Sequence, residues 1–153
     1  MDMDALEFVR RKLDSLLGYL GELEEELPGT VQDYLSAGRV LQGYVERRCQ
    51  VAIESAIDAN DLLLSALGHA APGSARQGFE AVRQLEALDD ETGRRFTDTF
   101  VGFRNRLVHD YEQVDQRIVY HTARLLVACG RQYAAGLAQF LNSRAGGDAP
   151  AQA

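Results

Sequence analysis

Apolar residues recur at steps of three and four along almost the whole chain. Leu6, Val9, Leu13, Leu16, Leu17, Leu20, Leu23 and Leu27 draw one stripe over residues 3–27, the spacing that gathers side chains on one face of an α-helix. Pro28-Gly29 ends it. Thr30 is placed to cap a second helix, and Val31, Tyr34, Leu35, Leu41, Val45, Ala52, Ala56 and Leu63 predict that this helix is long and continuous, closing at Gly68 and the Pro72-Gly73 pair. Ser74-Ala75-Arg76-Gln77 has capping-box spacing and opens a short third helix to about Leu88. Asp89 or Asp90 caps a fourth, striped by Phe96, Phe100, Phe103 and Leu107; Asp115 caps a fifth, striped by Ile118, Thr122, Leu125, Cys129, Tyr133, Leu137 and Phe140. No strand-like alternation remains. Short connections between long amphipathic helices favour antiparallel neighbours, hence an all-α, up-and-down bundle of four or five helices. It is expected to form one domain over residues 1–145, with a flexible Gly/Ala/Pro-rich tail at 146–153.

Composition narrows the class. A chain of 153 residues with 46% hydrophobic content fits one domain with a sizeable core. Its 16 basic and 23 acidic residues give a net charge of −7, which excludes a generally basic nucleic-acid coat protein or a polybasic membrane binder. The surplus is uneven. Residues 1–75 hold 6 basic and 13 acidic side chains, residues 76–153 hold 10 of each, so the second half has room for local arginine clusters. The acidic start Met1-Asp2-Met3-Asp4 lacks the positive region of a signal peptide, and the longest uncharged run, Leu62 to Ala75, is too short to span a bilayer. Cys49 and Cys129 have no CxxC or Cys–His neighbour, which argues against a disulfide scaffold or zinc site. The expectation is a soluble cytoplasmic protein with no membrane contact, no metal and no cofactor.

Most chemical signatures are absent: no Walker loop, dinucleotide fingerprint, GxSxG or HExxH. The densest polar cluster is Arg104-Asn105-Arg106-Leu107-Val108-His109-Asp110-Tyr111, at the end of the aromatic-striped fourth helix. Histidine exchanges protons near neutrality, and arginine holds a phosphate with two hydrogen bonds and stabilises charge building on it. Together they are a minimal kit for cleaving RNA without metal. Geometry resists the idea within one helix, because residues five apart are about 140° apart around its axis. Either the helix unwinds before His109, or Arg104 reaches around, or a symmetric dimer sets two copies of the pair across one cleft. A plainer reading also fits: Arg106 and Asp110 as a surface pair four residues apart, His109 as a cation at a helix C-terminus.

Arg104-Asn105-Arg106-Leu107-Val108-His109-Asp110-Tyr111 resembles the Rx4HxY signature of HepT-type toxins in the HEPN superfamily. Glu46-Arg47 and Val51 to Asp58 are similar to a second-helix segment of the same family, as are Val114-Asp115 and Ile118-Val119-Tyr120 near the last helix. The resemblance implies a homodimeric, metal-independent RNase with Arg104 and His109 of both subunits as catalytic residues facing an RNA substrate. Asn105 matches the polar residue that orients the histidine or the phosphate. Tyr111 matches a tyrosine AMPylated by a partner, the MntA-type nucleotidyltransferase antitoxin of a toxin–antitoxin pair. The alternative it leaves open is a non-catalytic, nucleotide-binding accessory subunit of a nucleotidyltransferase.

Other polar residues carry lesser expectations. Glu54 and Asp58 share a helix face, and Asp58, like Asp110, is a candidate support for His109. Arg94, Arg95, Arg117 and Arg124 flank the motif as solvated residues or phosphate contacts. His69 and His121 lack ligand-spaced partners and read as structural, while Tyr19, Tyr34, Tyr44, Tyr120 and Tyr133 follow the apolar stripes into core or interface.

Overall fold

Pro28 and Gly29 separate the first helix from the second, and the same logic of stop signals and caps orders the rest of the chain. A computed structural model describes residues 3–109 and 114–147. The helices are α1 (Met3–Glu26), α2 (Val31–Ala37), α3 (Arg39–Ala66), α4 (Ala75–Gln84), α5 (Asp90–Arg95), α6 (Val101–His109) and α7 (Gln116–Gly147), with a π turn over Phe96–Phe100 joining α5 to α6. Among the described residues no helix is long and apolar enough to cross a membrane. Asp110, Tyr111 and the tail from 148 onward lie outside the described residues.

The caps are the ones the residue types demand. Thr30, Ser74 and Asp89 each accept the backbone N–H three residues on, Asp89 at 2.7 Å, filling donors that a helix start leaves free. At the end of α3, Gly68 takes φ +80° while the Gly68 and His69 N–H groups bond Ser65 and Leu64 carbonyls, the paired closure that a left-handed residue permits.

Four rods then run alternately up and down. Lys12 meets Asp58 while Glu22 meets Arg48, so α1 and α3 are antiparallel. Arg10 donates to Asn142 and Arg131 forks onto Glu24, so α7 also runs against α1. The helix Asp90–His109 lies against α3, α4 and α7. Its Phe96 ring is 4.6 Å from Phe79, 4.9 Å from Phe100 and 5.2 Å from Tyr133. Leu16, Leu20, Leu23, Ile53, Leu63 and Leu126 complete the fully buried centre. Burial at roughly 25 cal/mol per Å2 of apolar surface makes this the main source of stability.

Four sequence expectations need correction. The predicted long second helix is two, broken at Gly38, whose φ of +94° suits glycine and few other residues; the apolar stripe skips from Leu35 to Leu41 there, an interval short enough to read as one helix. α4 stops at Gln84 rather than Leu88, because Glu86 turns left-handed at φ +64° with no glycine to announce it. In α7 the inward face is Val119, Ala123, Leu126, Tyr133 and Leu137, while Ile118 is 42% exposed; Leu17 of α1 also faces out. Both helices carry more leucine and isoleucine than one face needs. The fourth helix contains the π turn, which an α-helical stripe does not predict.

Candidate active site between α3 and α6

Asp89 starts the motif helix, and Phe96, Phe100, Val101 and Phe103 anchor it in the core. That anchoring presents Arg104 to α3. Arg104 is half-buried and, with Val108, lines a cleft of about 300 Å3 whose other wall is Gln50, Glu54, Ile57 and Asp58 of α3. The Arg104 Nε is buried and has no hydrogen-bond partner among the described residues. A guanidinium nitrogen so placed is expensive unless an anion meets it.

The α3 carboxylates do not meet it. Glu54 accepts from Gln50 Nε2 at 2.8 Å, and Asp58 is paired with Lys12 Nζ at 3.2 Å. One turn further, burial and the charge of Asp58 together raise the Asp61 carboxyl above its ordinary value. The cleft thus has a cationic wall on α6 and an acidic wall on α3. That asymmetry suits a ribose phosphate, with its anionic phosphate and donor hydroxyls.

The structure does not bring Arg104 and His109 together in one protomer. α6 stays helical through His109, so the unwinding route is closed. His109 is exposed at the helix end, about 140° around the axis from Arg104, and no hydrogen bond among the described residues joins the two. Asn105 is half-buried beside Arg104, and Arg106 is exposed. Asp58 sits in the Arg104 cleft, engaged with Lys12 rather than with His109. Asp110 and Tyr111 fall outside the described residues.

The remaining candidates sort by their contacts. Arg124 is structural: its Nε donates to the Tyr120 hydroxyl and its guanidinium to the Pro28 carbonyl, which also accepts from Tyr120 at 2.8 Å. Arg94 and Arg95 share a surface cavity with Glu91 and Asp98, so their charge is locally offset. Tyr34 is buried and donates to Gln116 at 2.6 Å; burial and the nearby Glu46 push its phenol up. Tyr19 and Tyr44 flank the Arg48 guanidinium. His69 and His121 are exposed, and burial raises both cysteine thiols, which keeps them protonated and unreactive. Sequence reasoning missed Gln50, Ile57 and Val108 as cleft residues, since nothing but three-dimensional proximity marks them.

The bundle is the HEPN fold. It superposes on the tri-AMPylated HEPN toxin of Shewanella oneidensis, solved in complex with its MNT antitoxin, with a TM-score of 0.77 at 19% identity, covering 91% of this chain and 99% of that one. The cytosolic protein YutE of Bacillus subtilis aligns with a TM-score of 0.73 at 16% identity, over 94% of this chain and 95% of that one. The ribonuclease HepT-like family matches residues 16–132. A tRNA nuclease HepT from Aphanizomenon flos-aquae is 32% identical over 115 residues, 73% of this chain and 75% of that protein. The chain belongs to the ribonuclease HepT-like family, and its enzyme class is endoribonuclease.

Proposed function

We propose that this protein is the toxin of a toxin–antitoxin pair, a homodimer that cleaves RNA without metal through Arg104, Asn105 and His109 of both subunits. The observation that carries the reading is the buried, unpartnered Arg104 Nε on the same short helix as His109. One protomer holds the two groups apart; a second copy related by a twofold axis supplies the missing partner across a shared cleft. One His109 takes the proton from a ribose 2′-hydroxyl, whose oxygen attacks the adjacent phosphorus. The bond to O5′ breaks, and a His109 imidazolium of the shared cleft returns a proton to that leaving oxygen, giving a 2′,3′-cyclic phosphate and a 5′-hydroxyl. Arg104 stabilises the charge that gathers on the phosphorane, and Asn105 orients the phosphate or the imidazole. The name of the Aphanizomenon relative makes transfer RNA the substrate to test first.

Control by a nucleotidyltransferase antitoxin fits Tyr111, two residues beyond His109. Its hydroxyl would attack the α-phosphorus of ATP, releasing pyrophosphate and leaving an anionic AMP that repels an RNA backbone. Growth and RNA integrity in cells expressing wild type or His109→Ala test the nuclease. Arrest and fragments with wild type alone support it; intact RNA with both, at matched expression, returns the accessory-subunit reading. A mass gain of AMP on Tyr111, lost in Tyr111→Phe, tests the switch.

A further inference from the structure

The helix Asp90–His109 changes its winding midway. In the π turn, the Val101 N–H bonds the Phe96 carbonyl; in an α-helix its partner would be the Thr97 carbonyl. The displaced Thr97 carbonyl is taken by a side chain from another helix: Arg76 of α4 donates to it from Nε at 3.0 Å. Gly102 leaves room for that guanidinium, since a Cβ there would stand 3.3 Å from its terminal nitrogen. Beside the turn, the Thr97 hydroxyl donates to the Arg94 carbonyl at 3.2 Å.

A π turn holds about one residue more than an α turn, so everything after it is rotated by about 100° relative to an unbroken α-helix. Counted from Phe96 in unbroken α winding, Phe103 and Leu107 share its direction, and Arg104 and Val108 lie about 80° and 120° away. With the extra residue absorbed, Arg104 and Val108 come within about 20° of the Phe96 direction and Leu107 swings off it. Arg104 and Val108 line the α3 cleft, and Arg106, on the opposite side, is exposed. Leu107 is half-buried like Arg104 and Val108, and Phe103, about 120° off the Phe96 direction on this count, is still buried at the edge of the inward face.

We infer that the π turn aims Arg104 into the cleft and that Arg76, by occupying the Thr97 carbonyl, is a positioning residue for RNA cleavage; this rests on the role proposed above for Arg104. Without Arg76, the Thr97 carbonyl recovers the Val101 N–H, the segment relaxes to α winding, and α6 turns Arg104 away. Deleting one residue from the turn has a different effect. Both flanks become α-helical in their present phase, and Arg76 has nothing left to hold.

The test is steady-state cleavage of one RNA by the full chain carrying Arg76→Met, Arg76→Lys, a deletion of the exposed Asp98, and Arg76→Met combined with that deletion. Arg76→Met should lower kcat about tenfold, the factor that about 1.4 kcal/mol represents, with KM little changed. Arg76→Lys should recover part, and the combined variant most, of the lost rate. Wild-type kcat in Arg76→Met, or a combined variant as slow as Arg76→Met alone, overturns the inference. If Arg76→Met does not fold, the combined variant decides: it should fold and cleave, and failure of either refutes the idea. Arg104→Ala, measured alongside, separates the two claims, because normal cleavage by that variant sinks the reading of Arg104 itself.

Discussion

Gly136 lies inside α7, where a Cβ would come 2.6 Å from the Ala87 carbonyl oxygen. Ala87 lies in the connection 85–89, which ends at Asp89, the cap of the motif helix, so the close approach seats the start of the site-bearing helix on α7. Gly136→Ala sets two effects against each other. Alanine in a helix interior is favoured over glycine by about 1 kcal/mol, whereas forcing a methyl into occupied space costs about 1–3 kcal/mol. The loop cannot step aside easily, because Ala87 and Leu88 are buried and the Ala87 N–H is bonded to the Val82 carbonyl. Gly43 of α3 is the control, with nothing within 4 Å of its Cβ position. Gly43→Ala should gain the full helix preference. The propensity term cancels between the two variants, so their stabilities should differ by the overpacking alone, about 1–3 kcal/mol. Urea unfolding followed by helical circular dichroism measures this directly, and each kcal/mol moves Tm by about 2–4 °C in a chain of this size. A Gly136→Ala protein as stable as Gly43→Ala would refute the close-contact argument.

Mixing Arg104→Ala and His109→Ala subunits tests the shared cleft: each parent should be inactive, and the mixture should regain cleavage because the mixed dimer holds one intact Arg–His pair across its interface. Failure to regain activity, with mixed dimers verified by native mass spectrometry, would return the pair to a single subunit. Tyr133→Phe removes a buried hydroxyl that lies 2.9 Å from the Ala56 carbonyl and 2.5 Å from Asn60 Oδ1; denaturant titration should show a loss of about 1–3 kcal/mol. Asp89 is held below the usual carboxyl range by the Thr92 side chain and then its backbone N–H. Its folded form therefore titrates lower than its unfolded form, so its stabilising contribution is present above the unfolded value, about pH 3.9, and fades as pH falls through the lower folded one. Asp89→Ser keeps a capping oxygen without a titrating group, and its thermal stability should fall less steeply than wild type on acidification.

Most of the bundle was legible because burial imposes periodicity. The stripe Leu6 to Leu27 predicted α1 nearly to its ends, and the caps at Thr30, Ser74 and Asp89 were readable because short polar side chains have few other reasons to stand there. What escaped has a common cause. Gly38, Glu86 and the Phe96–Phe100 turn are each local departures, and a loose sequence pattern of threes and fours still reads as unbroken across one extra residue, even though the faces beyond it turn by about 100°. Arg104, Asn105 and His109 stand out in the sequence by their chemistry, which makes them candidates, while the α3 wall of Gln50, Glu54, Ile57 and Asp58 that faces Arg104 is assembled only by packing.

The opposed directions of Arg104 and His109 have a consequence for regulation. Both sit on one rigid helix of nine residues, so no side-chain rotation within the protomer assembles them; an α-helix fixes about 100° per residue. In the dimeric reading, the active arrangement exists only at an interface, and a monomer carries both groups in an incompetent pose. Cleavage per subunit should then fall as the enzyme is diluted below its dimer dissociation constant, even with RNA saturating. A modification two residues from His109 need not reach the chemistry to silence it. Bulk and negative charge there would act on the interface and on the incoming backbone at once, and sedimentation of the modified and unmodified proteins at equal concentration separates those two routes.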